Sequence, residues 1–396
     1  MRLLFVIDSL CSGGAQRQLT SLAVALKRRG HDIEFFVYHD IDHFGPELRA
    51  AGIEVRLHQK PWRFSVAPVR ALRRLYRDGG YDLVLSFLTV PNAYCALAGI
   101  GLANRPKVVV SERLMRQGRV SAGIRFCERT YPWADHITTN SYHMREYFRQ
   151  RHGWGDDRVS VIWNGLDLDR FSVTPCLRRP GDPLRLLCVG RMNPVKNWQL
   201  VAMAVAKLMS DGIDVSIEHV GCTHRLLPAD ADYFAELKTL CSQLGLKEAW
   251  TFHGEQSSVE PFYAASHLLV HPSLVEGLPN VICESLACGR PVAAGDAFDN
   301  RRLIQDGQSG WLFDAHSVDS LVDVLRKANA LSTDELAEMG GYARRFAEQQ
   351  LSIQRLADEY EHLFRRLLGG GEAKLSDVSA NARGGRDDLA VVHRDA

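Results

Sequence analysis

A loop between an apolar run and a helical pattern carries two cations that could bind phosphate. The apolar run at 187–189 ends at Gly190, and Arg191 and Lys196 follow just before the helical pattern opens. The first turn of a helix offers free backbone N–H groups and a partial positive charge, which suit an anion. Arg191 could hold phosphate oxygens bidentately, and Lys196 would add a point charge. The alternative is an ordinary solvated loop.

Two glutamates, Glu276 and Glu284, are separated by seven residues at the start of another helical pattern. Glu276 lies in a turn before a helix that begins near Pro279, and Glu284 falls about one and a half turns inside that helix. Carboxylates accept hydrogen bonds from sugar hydroxyls, so the pair could reach different parts of one bound ligand. The alternative is a pair of solvated glutamates.

The elements that must position these residues alternate regularly along the first half of the chain. Short apolar runs, separated by helical patterns, predict seven strands at Leu3–Ile7, Ile33–Val37, Ile53–Leu57, Leu83–Phe87, Lys107–Val110, His136–Thr139 and Val159–Ile162. Strands that are apolar throughout and separated by helices imply a parallel sheet covered on both faces.

The segment 171–183 is rich in proline, interrupts this alternation, and is predicted to be a linker. Six more strands are predicted at Leu184–Val189, Val215–His219, Trp250–His253, Leu268–His271, Pro291–Ala294 and Gly310–Phe313. The chain is therefore predicted to be an α/β protein with two Rossmann-like doubly wound domains, 1–170 and 184–350, facing across a cleft. A last helix over 351–368 would pack back on the first domain, and the tail 369–396 is predicted to be disordered.

Composition excludes several classes of protein. With 396 residues, 46% of them hydrophobic, the chain can bury two cores and is not a disordered protein. A net charge of +1 argues against a dedicated nucleic-acid binder. No apolar run approaches the ~20 residues that span a bilayer. Nine scattered cysteines without a CxxC pair indicate reduced thiols and a cytoplasmic location.

Charge is divided unevenly along the chain. Residues 1–170 hold 25 Lys/Arg against 17 Asp/Glu, so the net charge is +8 there and −7 in the remainder. Between Lys60 and Arg77 there is no acid, and apolar residues recur at helical spacing opposite Arg70, Arg73, Arg74 and Arg77. That pattern is typical of a helix on an anionic membrane surface, which would make the protein peripheral on the inner face of the cytoplasmic membrane. The alternative is a surface helix packed on the sheet with solvated arginines.

Taken together, the motifs resemble the retaining glycosyltransferases of family 4, which have two Rossmann-like domains in the GT-B arrangement. The resemblance spans about residues 1–368 of the chain. It rests on Gly190-Arg191-x4-Lys196, Glu276-x7-Glu284, Ala287-Cys288-Gly289-x-Pro291-Val292, Asp306-Gly307-x-x-Gly310, Ser12-Gly13-Gly14-Ala15-Gln16 and Asn164-Gly165-Leu166-Asp167.

The resemblance implies a role for each matching residue. Arg191 and Lys196 would bind the donor diphosphate and stabilise it as a leaving group. Glu284 would accept from the nucleotide ribose, and Glu276 from the donor sugar. The remaining donor-binding positions would be Gly13, Gly14, Gly190, Gly277, Leu278, Pro279 and Asn280. The family is described as retaining through a front-face route that needs no enzymatic nucleophile, and we expect neither a metal nor another cofactor besides the nucleotide-diphosphate sugar donor.

Ser111-Glu112-Arg113 follows a predicted strand where many relatives have a histidine. This tripeptide resembles the branch that builds polysaccharides or oligosaccharides on polyprenyl diphosphates, so Glu112 and Arg113 are acceptor-side candidates; the alternative is a solvated loop. Asp167-Leu168-Asp169 looks like a metal-binding DxD, but it follows an Asn-Gly turn and is interpreted as structural.

The sequence thus predicts a glycosyltransferase that moves a sugar from a nucleotide-diphosphate donor to a lipid-linked or surface-polysaccharide glycan. Two alternatives stay open: a nucleotide-sugar epimerase or phosphorylase on the same fold, and a non-catalytic, membrane-associated sugar-nucleotide-binding subunit. An epimerase needs an acid/base pair that we cannot identify, and a scaffold has no need of both cations and both glutamates.

Overall fold

The computed structural model describes residues 1–62, 65–116, 120–176, 178–179, 181–222 and 228–369. Each half of the chain forms one parallel sheet flanked by helices, which confirms the predicted pair of α/β domains. All but the first residue of the tail that was predicted to be disordered, 369–396, lies outside the described residues.

The N-terminal domain is built on a sheet of seven strands in the order β3-β2-β1-β4-β5-β6-β7. The strands are β1 (Arg2–Val6), β2 (Asp32–Val37), β3 (Glu54–Leu57), β4 (Leu83–Phe87), β5 (Lys107–Glu112), β6 (His136–Thr139) and β7 (Val159–Val161). The helices are α1 (Gly14–Arg28), α2 (Gly45–Ala50), α3 (Ala67–Asp78), α4 (Thr89–Ala98), α5 (Ala122–Glu128) and α6 (Tyr142–His152).

The C-terminal domain repeats the plan with six strands in the order β10-β9-β8-β11-β12-β13. The strands are β8 (Leu184–Val189), β9 (Val215–Val220), β10 (Trp250–Gly254), β11 (Leu268–His271), β12 (Val292–Gly295) and β13 (Gly310–Phe313). The helices are α7 (Trp198–Ser210), α8 (Pro228–Gln243), α9 (Glu260–Ala265), α10 (Asn280–Ala287), α11 (Asn300–Leu303), α12 (Val318–Ala330) and α13 (Thr333–Gln350), and a last helix, α14 (Ile353–Leu367), follows this domain in the chain.

The apolar strands are buried on both faces, as β1 illustrates. Leu3 and Phe5 pack into one core, while Leu4 and Val6 pack into another on the opposite face of the sheet. All four side chains are fully buried, and burial of each contributes roughly 1.5–3 kcal/mol. This two-sided burial is the reason that β1 shows no alternation of polar and apolar residues.

The direction of strand order reverses between β1 and β4, and again between β8 and β11. At such a reversal the loops that follow the two neighbouring strands run to opposite faces of the sheet, which opens a crevice at the carboxyl ends of the strands. The loops after β1, β8 and β11 all begin at these two points. They carry Gly13 and Gly14, then Arg191 and Lys196, then Glu276.

The chain crosses between the domains at two adjacent segments. The Leu166 N–H donates to the Leu351 carbonyl at 2.7 Å, and the Ile353 N–H donates to the Leu166 carbonyl at 2.9 Å. Helix α14 then packs on α1, and its buried face, including Tyr360 and Phe364, completes the core of the N-terminal domain. Helix α14 therefore belongs structurally to the first domain.

Helix α3 contains much of the basic stretch between Lys60 and Arg77 that is a candidate for membrane binding. Its apolar side packs toward α4, and Leu72 and Tyr76 are buried there. Arg73 donates to two carbonyls at the C-terminal end of α4, and Arg77 pairs with Asp78. None of the helices in the described part of the chain is both long and apolar enough to span a bilayer.

Candidate active site

The two predicted glutamates are placed by α10 and the loop that precedes it. Pro279 adopts an extended conformation at the start of the helix and so sets where it begins. Ile282, Cys283 and Leu286 pack α10 into the core of the C-terminal domain. Because this packing fixes the helix, Glu284 is held at a defined position. Its side chain is largely buried, with 8% exposed.

Lys196 and Glu276, from neighbouring loops, are paired in the structure. The Lys196 ammonium donates a hydrogen bond to Glu276 Oε1, and the side chains are 20% and 18% exposed. His271, fully buried at the end of β11, lies 3.4 Å from the same oxygen. Burial opposes ionisation of Glu276, but the interactions with His271 and Lys196 outweigh it and lower the pKa of the carboxyl to about 2. Glu276 is therefore a hydrogen-bond acceptor at neutral pH.

Glu284 has one oxygen held by its own domain and one that faces the other domain. The Tyr263 hydroxyl donates to Glu284 Oε2 at 3.0 Å. Arg17, on α1, lies 3.7 Å from Oε1. Burial raises the pKa of Glu284 above its ordinary value, although Arg17 and Tyr263 act against that rise. A carboxylate with one oxygen fixed and the other toward the cleft suits a ligand that presents hydroxyl groups.

The loop after β8 has a fixed backbone and an exposed cation. The Gly190 carbonyl lies 3.1 Å from Nε2 of the buried His219, and the Trp198 indole donates to the Arg191 carbonyl at 3.0 Å. A Cβ at Gly190 would lie 3.0 Å from the Trp198 ring, so a larger residue would press on it. Arg191 itself is exposed and forms no ion pair among the described residues. Its guanidinium is available to a ligand.

Helices α1 and α10 begin opposite each other across the cleft. A Cβ at Gly14, the first residue of α1, would lie 3.1 Å from Nδ2 of Asn280, the first residue of α10. Asn164, in the crossing segment, donates to Asn280 Oδ1 at 2.6 Å. Two positive helix ends therefore face the same gap, an arrangement that favours an anion between them.

Glu112, an acceptor-side candidate, lies in a closed polar network at the end of β5. Its Oε2 accepts from the hydroxyls of Thr89 and Tyr131 and from the Arg116 guanidinium, which lies 2.7 Å away. Arg116 also pairs with the buried Glu128 at 3.2 Å. Glu112 is fully buried, so its interpretation as part of a solvated loop is wrong.

Arg113, the second acceptor-side candidate, is also buried. It donates to Asn164 Oδ1 at 2.8 Å and to the Tyr360 hydroxyl at 2.7 Å, and its guanidinium lies 4.1 Å from the centre of the Phe87 ring. It thus joins β5, the crossing segment and α14. An acceptor role for Glu112 and Arg113 stays a prediction; the contacts described here support the loop that follows β5.

The Asp167-Leu168-Asp169 segment forms a local turn in the structure. The Asp169 N–H donates to Asp167 Oδ1 at 3.1 Å, and both carboxylates are exposed. Within the described ranges there is no group of three or more His, Cys, Asp or Glu side chains that could hold a metal ion.

Three residues of the site were missed by sequence reasoning. Neither Tyr263 nor His271 was predicted to belong to the site. Arg17 directly follows the predicted Gly-rich loop on a helix whose first turn has no acid, and that position could have indicated an anionic partner. Nothing local to Tyr263 indicates its contact with Glu284, which is 21 positions away.

Two family models match the chain, one in each half. The model described as Glycosyltransferase Family 4 matches residues 12–170, and the model described as glycosyl transferases group 1 matches residues 174–346. They meet close to the boundary between the two sheets.

Among curated proteins, two enzymes of Campylobacter jejuni are similar to this chain. The N-acetylgalactosamine-N,N'-diacetylbacillosaminyl-diphospho-undecaprenol 4-alpha-N-acetylgalactosaminyltransferase is 26% identical over 333 residues, which cover 81% of this chain and 88% of that enzyme. The GalNAc-alpha-(1->4)-GalNAc-alpha-(1->3)-diNAcBac-PP-undecaprenol alpha-1,4-N-acetyl-D-galactosaminyltransferase is 25% identical over 346 residues, covering 85% and 90%.

Solved structures show the same fold. A glycosyltransferase from Rickettsia africae superposes with a TM-score of 0.80 at 17% identity, covering 93% of this chain and 99% of that one. HepE of Anabaena, in complex with UDP, superposes with a TM-score of 0.79 at 22% identity, covering 92% and 100%. The two-domain GT-B arrangement predicted from the motifs is thereby confirmed.

Proposed function

This chain belongs to glycosyltransferase family 4, and we propose that it transfers a sugar from a nucleotide-diphosphate sugar to a hydroxyl of a lipid-linked glycan, with retention of anomeric configuration. The observation that carries the proposal is the convergence of Lys196, Glu276 and Glu284 around the N-terminus of α10, in the gap that α1 faces. That gap combines cations and helix ends for a diphosphate with carboxylates for a sugar and a ribose.

Each part of the donor has a matching group. The diphosphate lies at the N-terminus of α10, where Lys196 and the exposed Arg191 supply positive charge. Glu284 accepts from the ribose through the oxygen that Tyr263 does not occupy. Glu276 accepts from the donor sugar. Backbone N–H groups of Gly277, Leu278 and Asn280 complete the contacts.

The chemistry requires stabilisation of a departing diphosphate. The bond from the anomeric carbon to the phosphate oxygen breaks, the acceptor oxygen bonds to that carbon from the same face, and the acceptor proton passes to a phosphate oxygen. Charge grows on the diphosphate, so fixed cations beside it lower the barrier. Because Lys196 and Arg191 can do this, the proposed reaction is independent of metal ions. Ionised Glu276 cannot serve as an acid, which fits a role in sugar binding.

The proposed acceptor is a glycan on a polyprenyl diphosphate, and the proposed location is the anionic face of the cytoplasmic membrane. The names of both Campylobacter jejuni relatives contain a diphospho-undecaprenol acceptor. Here the basic first half supplies a matching charge. Before and along α3, Trp62 and Val66 are 67% and 54% exposed, and Arg70 and Arg74 are exposed beside them. Apolar and basic groups together suit a bilayer surface.

A binding panel followed by a transfer assay tests the proposal. Thermal unfolding is measured with UDP-, GDP-, ADP- and TDP-sugars, each with Mg²⁺ or with EDTA. A ligand that binds only the folded state stabilises it by about 2.7 kcal/mol at a hundred times its Kd. We expect one nucleotide class to stabilise the protein equally under both conditions. The selected donor is then incubated with polyprenyl-diphosphate glycans, and the anomeric configuration of the product is determined by NMR.

The alternatives give different results in the same assays. Conversion of the donor sugar without any acceptor would identify an epimerase. Donor binding without transfer to any lipid-linked or free glycan would favour a non-catalytic subunit. Failure of every nucleotide sugar to stabilise the protein would contradict the donor site itself.

A further inference from the structure

We propose that Arg17 is a third cation for the donor diphosphate, contributed by the N-terminal domain and held by Glu284 when no donor is bound. The inference rests on the proposed function and deepens it. The motifs that carry the family resemblance place only the backbone of Gly13 and Gly14 from this side of the cleft at the donor, and no side chain of α1.

The position of Arg17 on α1 calls for an anionic partner. Arg17 lies one turn from the start of α1, where the helix end is already positive and the first turn holds no acid. Among the described residues its ion-pair partner is Glu284 on the other domain, 3.7 Å from its Nη1. Within that part of the chain, the cation is therefore paired across the cleft and not within its own domain.

The contact between Arg17 and Glu284 is suited to being exchanged. At 3.7 Å it is too long for a good hydrogen bond, and the Arg17 side chain is 42% exposed. The shorter bond to Glu284 comes from Tyr263, at 3.0 Å to the other oxygen. A ligand hydroxyl can therefore take the place of Arg17 without disturbing the anchored half of the carboxylate.

The exchange leaves Arg17 next to the phosphates. When ribose hydroxyls bind Glu284, the guanidinium loses its partner while its long side chain stays at the same gap. The phosphates are attached to that ribose, and the gap also contains the N-terminus of α10 beside Asn280. A guanidinium presents five N–H donors in a fork that fits phosphate oxygens. Nucleoside diphosphate binding thus links α1 to α10 through the ligand.

The proposal makes opposite predictions for ligands with and without phosphates. The base is first chosen from UDP, GDP, ADP and TDP by thermal shift, and Kd is then measured by calorimetry for that diphosphate and for its nucleoside. Arg17→Met is expected to raise Kd for the diphosphate about 10-fold or more, the value of a charged hydrogen bond. For the nucleoside, Kd should stay the same or fall, because Glu284 no longer has to release Arg17.

Two further variants control the experiment. Arg28→Met removes the same charge from the exposed C-terminal end of α1, about 16 Å along the helix axis, and should change neither Kd. Arg17→Lys keeps the charge and should recover part of the diphosphate affinity. Unfolding curves of all variants establish that each is folded.

The possible results separate this inference from the donor site on which it rests. An equal change in Kd for nucleoside and diphosphate, or no change for either, would overturn the assignment of Arg17 while leaving the donor site in place. Absence of binding by the unmodified protein to all four diphosphates would refute the donor site, and Arg17 with it. Only a rise in Kd that is confined to the diphosphate supports the proposed exchange of Arg17 from Glu284 to the phosphates.

Discussion

Replacing Lys196 with methionine should lower both stability and turnover, for different physical reasons. The Lys196 ammonium pairs with Glu276 in a site where both side chains are mostly buried. Breaking a buried pair costs about 3–5 kcal/mol when burial is complete and the charge left behind has no partner, whereas Glu276 keeps His271 at 3.4 Å. Because about a fifth of each side chain is exposed, we expect about 2 kcal/mol, or a Tm lower by roughly 4–8 °C.

Lys196→Met should lower kcat by more than its loss of folding stability can explain. Removal of one group that stabilises charge in a transition state costs about 100- to 1,000-fold in kcat. Adding Glu276→Gln to Lys196→Met removes the carboxylate that has lost its lysine, so the double variant should regain part of the lost Tm. It should regain none of the lost turnover, since neither the cation nor the carboxylate is restored.

Thermal unfolding and initial transfer rates at saturating donor measure the two quantities separately. Lys207→Met is the matched control, because Lys207 pairs with Asp319 on the surface, where both side chains are largely exposed. That change should alter stability by no more than about 0.5 kcal/mol and leave kcat unchanged. The reasoning would be refuted by normal turnover in Lys196→Met, or by a double variant less stable than Lys196→Met alone.

Three other predictions concern the carboxylate anchor, acid stability and the membrane. Tyr263→Phe removes the 3.0 Å hydrogen bond to Glu284, and we expect calorimetry to show nucleotide binding about 5- to 10-fold weaker. The effect of Arg17→Met on diphosphate binding should be the same in this variant as in the unmodified protein. Burial lowers the pKa of His219 to about 4. Because the unfolded chain binds this proton at higher pH, the free energy of unfolding should decrease by up to about 3 kcal/mol as the pH falls from about 6.5 to 4. In a series of denaturation curves over this pH range, His219→Gln should show a smaller decrease. Changing Arg70 and Arg74 together to Gln should reduce co-sedimentation with anionic vesicles but not affect the weaker binding to neutral ones; equal binding by variant and parent would rule out this surface.

The strands and the donor motifs could be predicted from sequence because their evidence is local. All thirteen predicted strands are present, and most of them are short, largely apolar runs, as expected of strands buried on both faces. The turn before α10 and the loop after β8 were likewise recognisable from glycine, proline and charged residues at short spacing. Both motifs lie at sheet positions where loops must converge.

The partners of the charged side chains could not be predicted, because they depend on how distant loops pack. Lys196 and Glu276 are 80 positions apart, and Arg113 and Tyr360 are 247 apart. Nothing near Arg113 distinguishes a buried arginine from a solvated one. The same limit applies to α3, since an amphipathic pattern identifies the apolar side of a helix but not what covers it.

The return of α14 to the first domain has a consequence for synthesis on the ribosome. Domains at the start of a chain usually fold as soon as they emerge, but here Tyr360 and Phe364, near the end of the described chain, are part of the first core. The first domain must therefore wait, with an apolar groove beside α1 exposed, until the whole second domain has been translated. The second sheet can thus be complete before the core of the first domain is closed, although it is synthesised later.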